Sequence, residues 1–175
     1  MSNLRLINET TIPTLTANVS ITDVFSSDFD IYKIFINDIT GDISDASDLS
    51  LGLINPAGSQ IKTDYDVADT QLRTHTDFYE NRLQNTNDID DITFYDDTPR
   101  GGSAVVYILN PFSSSSYSFF IFQGSAMIDS YFRATKGIGV LKQTASMSGF
   151  YLQAGNSGVR TMSGTVKTYG LRVDS

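Results

Sequence analysis

The stretch "AVVYILNPFSSSSYSFFIF", residues 104–122, decides how this chain reads. Two runs of β-branched and aromatic residues, 104–109 and 117–123, flank a segment of Asn, Pro and Ser. Each run is too short for an ordinary helix and suits a strand. Pro111 has no N–H and cannot continue a central strand, so 110–118 is a connection. Runs of the same kind recur at 4–8, 18–22, 31–37, 49–54, 130–134, 140–145, 150–154 and 165–173, each bounded by Gly, Pro, Asn, Asp or Ser. Ten short strands in one chain predict an antiparallel β-sandwich.

Composition agrees. The chain has 18 Asp against 2 Glu, with 21 Ser and 18 Thr. Asp, Ser and Thr compete for backbone groups and favour turns and caps, whereas the helix former Glu is scarce. A chain of 175 residues is expected to form one domain, residues 1–175, and is long enough to bury a core without staples. "NPAG" at 55–58 carries the preferences of a type I turn. The Gly-rich stretch "GNSGVRTMSGTVKTYGL", 155–171, would need a following helix to cradle a phosphate, yet Thr165 to Tyr169 reads as a strand. Asn156-Ser157-Gly158 is then a turn, and Ser163-Gly164 a bulge or second bend.

Residues 66–100 break the pattern. Ala68, Leu72, Tyr79 and Leu83 could share one face of a short helix; a long irregular insertion in the sandwich is the competing reading, favoured by the Thr and Asn content.

The net charge of −8 and pI near 4.4, with basic residues scattered, argue against a nucleic-acid partner or an anionic bilayer. The absence of Cys removes disulfides and thiolate metal sites. The start "MSNLRLINETT" lacks a continuous apolar run, so no signal peptide is expected. The one histidine, His75, sits in the irregular segment with no GxSxG elbow or HExxH pair elsewhere, and reads as a solvated loop residue. Two acidic clusters, Asp38, Asp42, Asp45 and Asp48, and then Asp88, Asp90, Asp91, Asp96 and Asp97, offer oxygens for calcium but lack the EF-hand order. They are expected as solvated loops, with no metal, cofactor or catalytic residue assigned.

Several strands are apolar on both faces. In "FDIYKIFIND", Phe29, Ile31 and Phe35 lie on one side and Tyr32, Ile34 and Ile36 on the other. "AVVYIL" and "YSFFIF" repeat this, whereas a sandwich strand normally alternates apolar and polar. Either the 66–100 segment or another subunit must cover the second face, and Tyr32, Ile34, Ile36, Tyr107, Phe120 and Phe122 are the candidate partner interface.

The ordered set "NVSITDVFSSDFDIYKIFINDIT", "LSLGLINPAGSQIKTDYDVA", "VVYILNPFSSSSYSFFIFQ" and "SMSGFYLQAGNSGVRTMSGTVKTYGL" resembles a family of small virion proteins of tailed bacteriophages, many of them marine. The likeness spans nearly the whole chain. It implies a jelly-roll-like sandwich acting as a non-enzymatic virion structural protein: a head decoration, knob or capsid-associated fibre, or a tail or tail-fibre component. The implied partners are other virion proteins of the capsid or tail, with homo-oligomers, trimers included, suited to fibres and decorations. The family supplies no catalytic residues. A carbohydrate- or receptor-binding module, with exposed Tyr and Phe stacked on a host surface glycan, is the alternative from another class.

Overall fold

A computed structural model describes residues 4–42, 47–97, 100–155 and 160–172. The described residues form twelve strands: β1 (Leu4–Thr16), β2 (Asn18–Ile21), β3 (Ile31–Gly41), β4 (Ser47–Ile54), β5 (Tyr65–Arg73), β6 (Tyr79–Thr86), β7 (Ile89–Tyr95), β8 (Gly102–Leu109), β9 (Ser118–Ile128), β10 (Tyr131–Leu141), β11 (Gly149–Ala154) and β12 (Met162–Leu171). All pairings are antiparallel. One sheet has eight strands in the order β1-β12-β3-β8-β9-β10-β5-β6, and the other four, β2-β11-β4-β7.

The order has a simple origin. β1 pairs with β12, β2 with β11, β3 with β8 and β4 with β7, as if the chain were folded in half into a ribbon. The contacts β12–β3 and β11–β4 roll that ribbon into two sheets. This is a jelly roll. The remaining strands are two inserted hairpins, β5–β6 and β9–β10, and both extend the same sheet beyond β8. The core lies between the sheets, with Tyr32, Ile34, Ile36, Phe120, Phe122, Leu49, Leu51 and Phe150 fully buried in it.

The local signals act as expected at the turns. Gly58 N–H donates to Asn55 O at 2.9 Å, and the Asn55 side chain accepts from Ala57 and Ser59, closing the "NPAG" turn. Ser113 N–H donates to Asn110 O at 3.1 Å within the β8–β9 connection. At Gly164, φ is +152° and the β12–β3 register shifts, so this residue is a bulge. The Asn156-Ser157-Gly158 turn lies outside the described residues.

Three expectations are corrected. The 66–100 segment is neither a helix nor an irregular insertion: it holds most of β5 and all of β6 and β7. Runs 130–134 and 140–145 touch the two ends of one strand, β10. Its glycines read as breaks, but they make room for core residues: a Cβ at Gly137 would lie 2.2 Å from Phe122 Cζ, and one at Gly139 2.4 Å from Ile89 Cδ1. The third correction concerns the candidate interface. Tyr32, Ile34, Ile36, Phe120 and Phe122 face the four-stranded sheet and are at most 1 % exposed, so they belong to this chain's own core. Only Tyr107 points outward.

Phe122→Ala is therefore expected to lower unfolding stability by about 3–5 kcal/mol, because it opens a cavity between the sheets. Its neighbour Phe119→Ala, on the outer face, should stay within about 1 kcal/mol. Denaturant titration of the two variants checks this contrast.

Candidate functional site

The outer face of the eight-stranded sheet follows from the register, since directly opposed residues in antiparallel strands share a face. One row across it reads Leu6, Tyr169, Lys33, Tyr107, Ile121, Ile138, Ala68 and Arg82. The next reads Leu4, Leu171, Ile31, Leu109, Phe119, Val140, Asp66 and Gln84. Together they form an apolar band running over β1 to β5. Phe119 is 45 % exposed, Ile121 48 % and Ile138 62 %, so nothing in the described chain covers the band. The band's far end opens into a groove of about 870 Å³, floored by Phe119, Ile121 and Ile138 and rimmed by Asp66, Arg82 and Gln84.

The cations of this face sit within or beside the band. Lys33 Nζ lies 4.6 Å from the Phe35 ring centroid and 5.3 Å from that of Tyr107, and Phe35 packs edge-on against Tyr169 at 5.6 Å. Lys167 pairs with Glu9 at 3.1 Å, and Lys142 with Asp66 at 2.8 Å. Lys33, Lys136 and Arg82 make no ion pair among the described residues. Two-sided strands were legible in the sequence; which side faced out was not.

A second cluster lies where the eight-stranded sheet overhangs the edge strand β7. The carboxylates of Asp48, Asp90 and Asp91 offer oxygens all within 4.8 Å of one another, close enough to share a cation. Gln71 Nε2 donates to Asp91 Oδ2 at 2.7 Å, and Arg73 and Arg133 both donate to Gln71 Oε1. Ser50 Oγ donates to Asp90 Oδ1 at 3.1 Å, and the Arg133 guanidinium stacks 3.3 Å over the Phe94 ring. Asp69 completes the group from β5. Burial pushes the Asp48 carboxyl up to about 7, helped by its contact with Asp90. Burial and then the charges of Asp90 and Asp69 push Asp91 up to about 7, and burial raises Asp69 as well. Asp88, also buried and near Asp90, rises to about 6. The carboxyls of Asp48, Asp69, Asp90 and Asp91 thus gather beside the guanidinium groups of Arg73 and Arg133, and the protons that Asp48 and Asp91 retain bring the charges closer to balance.

These acids are not the solvated loops expected from sequence. Asp88, Asp90 and Asp96 are buried, and Asp96 Oδ2 accepts from Asp129 N–H at 2.8 Å. The structure joins Asp48 of the first acidic cluster to Asp90 and Asp91 of the second, with Asp88 beside Asp90. Asp38 and Asp42 lie apart on the surface, Asp97 is exposed, and Asp45 is outside the described residues. Asp69, Gln71, Arg73 and Arg133 carried no recognisable motif; an alternation in β5 that turns polar after Val67 was the available signal. His75 is exposed in the β5–β6 turn, its ring 3.6 Å from that of Tyr131.

The chain matches no protein-family model, no curated protein and no solved structure.

The carboxyl cluster sets a pH dependence. An unfolded Asp loses its proton near pH 4 (about 3.9), whereas Asp48 and Asp91 keep theirs to about 7. Between these values the folded state binds more protons, so this contribution to stability falls as pH rises from about 4 to about 7 and stays low above. Thermal melts should show lower stability at pH 8 than at pH 5. Asp48→Asn should raise the melting temperature at pH 8 and flatten the profile.

Proposed function

We propose that this chain is a non-enzymatic structural protein of a tailed-phage virion, held on the particle through the outer face of its eight-stranded sheet. The observation that carries this reading is the uncovered apolar band, with Phe119, Ile121 and Ile138 at its most exposed end. Contiguous apolar surface of this kind marks an interaction site. The resemblance of the ordered sequence motifs to tailed-phage virion proteins supplies the particle, and decoration of the head is the role preferred over tail or fibre attachment. A jelly roll is an architecture shared by capsid proteins, although many functions use it.

The face also describes its partner. Lys33 and Lys136 lie on it while the whole chain has a net charge of −8, so the complementary surface is apolar with acidic groups opposite these cations. Glycan binding is the second reading, favoured by the groove beside Phe119. Its floor offers one aromatic ring among aliphatic side chains, a poor platform for stacking sugars.

Particle incorporation tests the proposal. Ile121→Asp and Phe119→Asp should leave the circular dichroism and melting temperature close to wild type, since both side chains are exposed, and should remove the protein from purified particles. A charge on this face could not be buried against an apolar partner without a large desolvation cost. Normal incorporation of both folded variants would overturn the proposed docking face.

A further inference from the structure

The two sheets have four edges, and three are guarded. β1 contains Pro13 and has register shifts after Leu6 and Ile12. β2 has only four residues. β7 is tucked beneath the larger sheet, so close that a Cβ at Gly102 would lie 1.9 Å from Phe94 O and one at Gly124 2.1 Å from Ile92 O. β6 is different. Its register with β5 is regular from Gln84 to Tyr79, it has no proline, and Tyr79, Glu80, Arg82 and Leu83 are all exposed. Its other side ends the sheet, leaving a row of backbone donors and acceptors available for another strand.

The sequence of this strand, Tyr79-Glu80-Asn81-Arg82-Leu83, is complementary to its own reverse. We propose that β6 pairs antiparallel with β6 of a second copy of this chain, across a two-fold axis through Asn81. An axis perpendicular to the sheet keeps each face on its own side, so it must pass through a residue and not between two. Centred on Asn81, Glu80 of each copy opposes Arg82 of the other on the outer face. Tyr79 opposes Leu83 on the concave face, under the overhang. Both contacts occur twice, as in any isologous interface. Other registers lose this match: centring on Glu80 or Arg82 sets like charges directly against each other, and centring on Leu83 opposes Arg82 to Gln84. Cross-strand charge pairing therefore selects one register. Backbone bonding, opposite-charge pairs and an apolar contact are all supplied by the same five residues. The pairing uses the edge of the sheet and leaves its outer face free, so it goes beyond the proposed docking role and does not depend on it.

A charge swap tests it. By sedimentation, the wild-type chain should be a concentration-dependent dimer. Glu80→Arg or Arg82→Glu should each weaken dimerisation by about tenfold or more, equivalent to at least about 1.4 kcal/mol. The double variant Glu80→Arg/Arg82→Glu should restore it, because each copy again opposes unlike charges. Backbone hydrogen exchange gives a second readout: protection of residues 79–83 should rise with protein concentration. A monomeric wild type, a dimer indifferent to both reversals, a double variant that stays dissociated, or protection independent of concentration would each overturn the proposal.

Discussion

Strands in a sheet sit about 4.8 Å apart, so a sheet of four strands is too narrow to cover a sheet of eight. The organisation of this protein depends on that mismatch. Over β12, β3, β8 and β9 the two sheets enclose an apolar core of Tyr32, Ile34, Ile36, Phe120 and Phe122. Past β7 the smaller sheet ends while the larger continues through β10, β5 and β6. The inward residues of the continuing strands accordingly change from apolar to polar: Tyr65 and Val67 give way to Asp69, Gln71 and Arg73 along β5. Here carboxyls and guanidinium groups replace the hydrocarbon core, and the burial that raises Asp48 and Asp91 comes from the overhang closing over them.

Glycine makes the overhang compatible with a close-packed interior. Gly102 and Gly124 admit the β7 backbone, and Gly137 and Gly139 admit Phe122 and Ile89. A methyl group at any of these positions would force the sheets apart, because packed interiors have little free volume to absorb it. The same extension creates two regions that no other described residue covers. Its outer surface prolongs the apolar band from β8 to β10, and its last strand ends with an open hydrogen-bonding edge. Face and edge point in different directions and offer different chemistry, so the two proposed contacts do not compete.

Much of the fold was legible because strand formation leaves local marks. Pro111, the "NPAG" turn and Gly164 each impose a backbone conformation that no distant contact is needed to specify. β5, β6 and β7 escaped because they lie at the overhang. β6 is exposed on both faces and shows no apolar alternation, while β7 is buried on nearly every residue and carries acids where a core strand would carry aliphatics. The acidic clusters were visible as composition, but Asp48 and Asp91 are separated by more than forty positions and meet only because β4 pairs with β7.

The amino-acid sequence by itself determined that this chain is built of antiparallel strands in one sandwich, where several of its turns fall, and that strands such as β3 and β9 are apolar on both sides. Tertiary structure alone decided which side faces inward. A period of two separates the faces of a strand without labelling them, and when both are apolar the choice passes to the partner sheet. Phe120 is core and Phe119 surface because the four-stranded sheet lies on one side of β9 and not on the other.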